Sequence, residues 1–303
     1  MYIDKNGDRW YRGNLHTHTT RSDGGKSPEE TKAAYRAAGY DFMALTDHWK
    51  YGENIDDDPS GLLILSATEY NFGGEDTLGG VYHIVGVGMK SDPLEVISKS
   101  STPQQTVDEI LKRGGAAILA HPAWSMNTWE MLASIKGYTM TEIYNSVSGA
   151  PRNCRPYSGV VIDELALRGY TPKLCATDDT HFWGGEQTLS FIYVNLRKNE
   201  FNHDNLMAAI LAGDFYATQG PRFYCRLERN GSGWNFVVDC EPEDNVERVT
   251  IFTNRPWENN RSVLGKPVTE AVFELDPRDT FIRAEIVSGD KTGWGQIFRI
   301  PRG

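Results

Sequence analysis

Gly114-Gly115-Ala116-Ala117-Ile118-Leu119-Ala120-His121-Pro122 is the stretch that decides the architecture of this chain. Two glycines stop a helix, five apolar residues follow without polar alternation, and a histidine and a proline end the run. An unbroken apolar run of this length is a strand buried on both faces, as in a parallel sheet or barrel, and proline cannot continue a central ladder. Upstream, Thr102-Pro103-Gln104-Gln105 carries an N-cap, a proline at the first helical position and a Gln at the third, so a helix should run from there to Gly114. Helix, buried strand and chemically active residue at the strand end make one αβ step.

The same step recurs along the chain. Asn14 to Thr19, Phe42 to Thr46, Leu62 to Glu69, Val81 to Val87, Ala116 to His121, Glu142 to Asn145, Lys173 to Asp178 and Leu189 to Leu196 read as strands. Ser27-Pro28-Glu29-Glu30 opens a further helix that should reach Gly39. Residues 12 to about 220 are therefore expected to form repeated β/α units around a parallel sheet or barrel. After Gly220-Pro221 the pattern becomes period-two: Phe223/Cys225/Leu227, Val249/Ile251, Ala271/Phe273/Leu275 and Ile282/Ala284/Ile286. Turn signals separate these runs, which predicts a small antiparallel β-domain, sandwich-like, over 221–303. Its Trp234, Trp257 and Trp294 are expected in the core.

Composition limits the partners. The 303 residues carry 31 Lys+Arg against 41 Asp+Glu, a formal charge of -10, which argues against nucleic acid as the main partner. No apolar run is long enough for a bilayer, and the start MYIDKNGDRW lacks a secretory pattern, so the cytoplasm is the expected location. The four cysteines show no CxxC spacing and receive no metal role. Nothing here indicates an oligomeric state.

Six of the seven histidines lie in short clusters at or beside strand ends, and His203 stands apart. His16 and His18 are two apart, so on a strand they leave the same face and can chelate together. Asp23 follows in a Ser22-Asp23-Gly24 turn. In Asp47-His48 only one side chain can point at a common site; His48 is the expected ligand and Asp47 a supporting carboxylate. Glu69 ends an apolar run, so its charge emerges from the interior and needs partners, and its two oxygens can bridge two cations. His83 and His121 interrupt strands that are otherwise apolar. In Asp178-Asp179-Thr180-His181 alternation favours Asp179 as the ligand with His181, leaving Asp178 behind them. Imidazole and carboxylate donors gathered at one mouth suit Zn, Mn or Fe.

In this order, His16-x-His18, Ser22-Asp23-Gly24, Thr46-Asp47-His48, Glu69, His83, Ala120-His121-Pro122 and Asp179-x-His181 resemble the polymerase and histidinol phosphatase (PHP) superfamily of metal-dependent phosphoesterases. The resemblance spans residues 12 to 220. It implies a distorted seven-stranded β/α barrel, related to the TIM barrel, with two or three divalent ions (Mn, Fe or Zn) at its mouth. His16, His18, Glu69 and Asp179 would hold the first ion, with Glu69 as a bridge to a second on His83 and His121. Asp23, His48 and His181 would hold a third. The C-terminal segment is similar, more loosely, to the tail of the carbaryl-hydrolase-like branch.

The expected activity is hydrolysis of a small phosphate monoester, a nucleotide or sugar phosphate, by a hydroxide generated at the metal centre. His16, His18, Glu69, Asp179 and His181 form the expected catalytic group, His181 also being a candidate proton donor to the leaving group. Arg21, Arg152 and Asn145 are the expected substrate contacts. Hydrolysis of a carboxylic ester, carbamate or amide on the same centre is the first alternative, and a non-catalytic metal-binding module the second.

Overall fold

The computed structural model describes residues 1–74, 80–257 and 259–301. In chain order its strands are β1 (Tyr2–Ile3), β2 (Arg9–Asn14), β3 (Phe42–Ala44), β4 (Leu63–Leu65), β5 (Ala67–Phe72), β6 (Tyr82–Val87), β7 (Ala116–Leu119), β8 (Met140–Asn145), β9 (Lys173–Thr177), β10 (Phe191–Arg197) and β11 (Phe215–Thr218). Then come β12 (Phe223–Asn230), β13 (Gly233–Cys240), β14 (Arg248–Thr253), β15 (Ser262–Leu264), β16 (Glu270–Glu274), β17 (Phe281–Ser288), β18 (Lys291–Trp294) and β19 (Phe298–Arg299). The helices are α1 (Pro28–Ala37), α2 (Pro103–Lys112), α3 (Trp129–Ser134), α4 (Gly159–Leu167) and α5 (His203–Ala212).

Both capping boxes form. The Ser27 hydroxyl accepts from the Glu30 amide and the Thr102 hydroxyl from the Gln105 amide, and each N3 side chain reaches back to the cap amide. Gly114, at φ +74, then turns the chain from α2 toward β7.

Strand pairing is less regular than repeated β/α units require. β2, β3 and β4 pair in parallel, as do β7, β8 and β9, but β5, β6 and β7 pair antiparallel and β10 runs antiparallel to β2. The run from Leu62 to Glu69 is not one strand. Ser66 breaks it: its amide donates to Asn54 Oδ1 at 2.6 Å and its hydroxyl to the Met89 carbonyl at 2.7 Å, so β4 and β5 belong to different sheets. Among the described residues no barrel closes. A five-stranded sheet, β5-β6-β7-β8-β9, faces an eleven-stranded one, and the bridges between them, Thr17–Thr180 and His48–Glu69, lie at the site-bearing ends. The fold is a mixed α/β one. Between the sheets lies an apolar core including Leu15, Phe42, Leu65, Val85, Ile118, Met140, Ile192 and Ile210.

Beyond residue 220 the chain is all β, but the larger sheet runs on through it. β11 pairs with β18, joining Ala217 to Trp294 and Thr218 to Gly293, and the order continues β18-β17-β14-β15. The three strands β12, β13 and β16 form a second layer over it, with Phe236, Val238, Val249, Phe273, Ile282 and Ile286 between the layers. Trp294 is buried and stacks on Tyr144, and Trp234 is half-buried, but Trp257 is 82% exposed and does not belong to the core. Arg283, fully buried, ties this layer to α4 through Asp163 at 2.6 and 2.8 Å. No helix among the described residues is long and apolar enough to cross a membrane.

Candidate metal centre

Every side chain expected at the mouth comes from a strand end or the segment that follows one. His16 and His18 lie just past β2 rather than within a strand, since pairing there stops at Asn14. The His18 amide donates to the Thr180 carbonyl and the Asp179 amide to the His16 carbonyl, which sets the two segments side by side. His83 stands near the start of β6, opposite Asn71 of β5; because β6 is antiparallel, its start lies at the same end as the other strands' finishes. His121 and Asp179 adopt positive φ, 31° and 50°. Left-handed backbone at non-glycine residues is strained and collects at functional sites. It also means that strand alternation does not govern Asp179, although its carboxylate does reach the cluster.

Three overlapping donor sets result: His16, His18, Glu69 and Asp179; Glu69, His83 and His121; and His18, Asp23, His48 and His181, the atoms of each set lying within 4.8 Å of one another. Glu69 divides its oxygens between neighbours. Oε2 is 3.3 Å from His16 Nε2, 3.0 Å from His18 Nε2 and 3.2 Å from His48 Nδ1, whereas Oε1 is 2.8 Å from His83 Nδ1 and 3.7 Å from His121 Nε2. Asp179 Oδ1 lies 3.1 Å from Nε2 of both His16 and His18. Asp23 Oδ2 lies 3.4 Å from His181 Nε2 and 3.7 Å from His48 Nε2, at the exposed end.

The donor chemistry fits cations. Glu142 Oε1, an acceptor, faces His16 Nδ1 at 2.8 Å, so that nitrogen carries the proton and Nε2 offers a lone pair. The Asp179 carbonyl fixes His181 in the same tautomer at 2.9 Å. The Nε2 atoms of His16 and His18 are 3.3 Å apart, and each lies 3.1 Å from buried Asp179 Oδ1. Lone pairs converging without hydrogens between them are costly unless a cation sits among them. In the metal-free chain the carboxylates answer by holding protons on the rings. Burial alone would lower His18, but Asp179 and Glu69 push it up to about 9, and Asp179, Glu69 and Glu142 raise His16 well above the usual range. Against the effect of burial, Asp179 is held low by His16 and His18, and Glu69 by His16, His83 and His48.

The flanking residues divide differently. Glu142, on β8, receives His16 Nδ1–H, the His121 amide at 2.8 Å, Asn145 Nδ2 at 2.8 Å and the Thr177 hydroxyl at 2.7 Å, and is fully buried. Sequence reasoning passed over it; a carboxylate between Met140 and Ile143 in a buried strand was the available signal. Asn145, expected to touch substrate, is fully buried and donates to Glu142 and, at 3.1 Å, to Asp179 Oδ2. Asp47 contacts no imidazole: it accepts from the Thr19 amide and hydroxyl and from Ser22, holding the turn that carries Asp23. Asp178 accepts from Tyr35, Asn14 and the amides of Thr188, Leu189 and Ser190, away from the histidines. Arg21 donates to the Tyr51 carbonyl, and Arg152 lies over the Trp183 ring. His203 begins α5, outside the cluster.

No protein-family model and no curated protein matches the chain. Among solved structures, it is similar to a two-domain protein from Bacteroides vulgatus described as containing a predicted PHP-like metal-dependent phosphoesterase, at 16% identity and TM-score 0.54, covering 99% of this chain and 97% of that one. A protein from Bifidobacterium adolescentis described as a putative metal-dependent phosphoesterase matches at 14% identity and TM-score 0.42, over 66% of this chain and 96% of that one. An amidohydrolase from Chromobacterium violaceum matches at 17% and 0.41, over 57% and 89%. The correspondence with the first covers nearly the whole of both chains, and the two share a fold.

Proposed function

We propose that this chain is a metal-dependent hydrolase, a phosphoesterase acting on a small phosphate monoester such as a nucleotide or sugar phosphate. The observation that carries the reading is the division of Glu69 between two donor sets, which builds adjacent cation positions sharing one carboxylate. His16, His18, Glu69 and Asp179 would hold one ion, Glu69, His83 and His121 a second, and Asp23, His48 and His181 a third, with Mn, Fe or Zn as the metal. Ions bound there supply positive charge to the substrate's oxygens and lower the pKa of water toward neutrality.

The chain's own residues do the rest. Glu142 and Asn145 hold His16 and Asp179 in place, and Asp47 holds the Asp23 turn. If two ions are held, His181, paired with Asp23, would be left to pass a proton to the leaving group; if three, both residues would hold metal instead. Arg152 and Arg21 contribute charge at the rim. The reading carries with it a distorted seven-stranded β/α barrel unit over residues 1–220 and a β-sandwich-like unit over 221–303, joined by the larger sheet that runs through both.

Metal analysis of the replete protein with a screen of phosphate monoesters against aryl esters and carbamates tests the proposal. Two or more equivalents and phosphate release are expected. Fewer than two equivalents would overturn the multinuclear centre; activity confined to esters or carbamates would replace the phosphoesterase reading with that of a carbonyl hydrolase.

A further inference from the structure

The centre is flanked by two tryptophans joined through one loop. Trp183 lies against His181, ring centroids 4.1 Å apart, and His181 in turn stacks on His18 at 4.2 Å. At the other end Trp124 sits edge-on to His121 and His83, at 4.9 and 5.5 Å. Consecutive residues of the segment after β8 reach both rings. Arg152 donates to the Trp183 carbonyl and places its guanidinium 5.4 Å from that ring, while Asn153 Oδ1 accepts from Trp124 Nε1 at 3.3 Å. Trp183 is 47% exposed and Trp124 half-buried, so neither ring is sealed in a core.

A single exposed aromatic means little. Two that touch metal-site histidines at opposite ends of the cluster, and are held by adjacent residues of one loop, form a frame around whatever enters. The Trp124 polar edge is occupied by Asn153, and Trp183 is backed by His181; what this frame offers an incoming group is apolar π-surface and one guanidinium plane. Such surfaces bind flat rings by stacking, not open-chain alcohols. We propose that Trp124, Trp183 and the Arg152–Asn153 segment form the leaving-group subsite and select a phosphate ester whose alcohol carries a planar aromatic ring. This rests on the phosphoesterase reading above.

Adenosine 5′-monophosphate and ribose 5-phosphate test it, because both present the same primary ribose phosphate bond and differ by the base. With the metal-replete full chain, kcat/KM should favour the nucleotide by roughly ten- to a hundred-fold, the range that one base–aromatic stack supports. The nucleotide, unlike ribose 5-phosphate, should also quench tryptophan fluorescence on binding. The ratio should collapse toward one in Trp183→Ala and Trp124→Ala and be retained in Trp183→Phe. Equal kcat/KM for the two esters in the parent chain, or an unchanged ratio in both alanine variants, overturns the subsite and leaves the phosphoesterase intact. If neither ester is hydrolysed, the phosphoesterase reading fails, and quenching decides the subsite: selective quenching by the nucleotide supports it and its absence overturns it.

Discussion

Glu142 Oε1 lies 2.8 Å from His16 Nδ1, with neither side chain exposed to solvent. A second oxygen of the same carboxylate takes the His121 amide, so one buried group sets a histidine in each of two donor sets. Partners of this kind typically contribute 10- to 100-fold to metal affinity. Glu142→Gln should therefore weaken metal binding by about that range in a competitive chelator titration. Unaltered affinity would reduce Glu142 to a structural residue.

Metal uptake should release protons. In the metal-free chain His18 is pushed up to about 9 by Asp179 and Glu69, so it is protonated at neutral pH and must lose that proton to bind. Apparent affinity should rise with pH up to about 9, and calorimetry in buffers of differing ionisation enthalpy should report proton release. In the absence of metal the sign is the opposite: a raised imidazole pKa contributes stability present below about pH 6.5 and lost as pH rises through about 9. Melting curves with and without chelator would expose both trends.

Gly24 should not tolerate a side chain. A Cβ there would fall 2.6 Å from the His18 carbonyl carbon and oxygen and 2.7 Å from the Thr19 nitrogen, all backbone atoms. Gly24→Ala should shift the turn carrying Asp23, costing about 1–3 kcal/mol. The set with His48 and His181 should lose affinity first, visible as one weakened binding step with the others retained.

Asp178 is surrounded by donors. Burial pushes its carboxyl up to about 6, while the Tyr35 hydroxyl and the amides of Ser190, Leu189 and Thr188 pull the other way. Asp178→Asn removes the charge but turns an NH2 group on those donors, and should destabilise the chain by about 1–3 kcal/mol in denaturant titrations at neutral pH. A variant as stable as the parent would contradict that view of the pocket.

Arg283 is a fully buried cation answered by Asp163 and, at 2.7 Å, by Glu285. Arg283→Ala leaves Asp163 and Glu285 facing each other without it, and should cost about 3–5 kcal/mol. The loss should appear as a lower midpoint in chemical denaturation.

The nine side chains of the three donor sets were legible because their chemistry is: an imidazole or carboxylate at the end of an apolar run has few other reasons to be there. Glu142 and Asn145 were harder. A strand read alone does not say what its inward face meets, and Glu142 acquires its meaning from His16, a residue just past β2 of the other sheet. Asp47 is expected from the sequence to support an imidazole and instead holds the Asp23 turn; its partners and those of Asp178 are largely backbone amides and hydroxyls that no spacing reveals. Barrel closure failed for a similar reason: the bonds from Ser66 to Asn54 and Met89 that part β4 from β5 join segments far apart in sequence. Trp257 was misplaced because an aromatic residue in a β-rich stretch is as compatible with an outward as with an inward direction.

The pairing of β11 with β18 bears on how the protein can be handled. A fragment cut at residue 220 would end on β11 with that edge bare, a row of amides and carbonyls ready to template another chain. Gln296 would go with it, taking away the side chain that donates to the Leu174 and Phe215 carbonyls and accepts from the Leu174 amide. The C-terminal strands thus act as an edge guard against self-association, and soluble expression of residues 1–220 should depend on their presence.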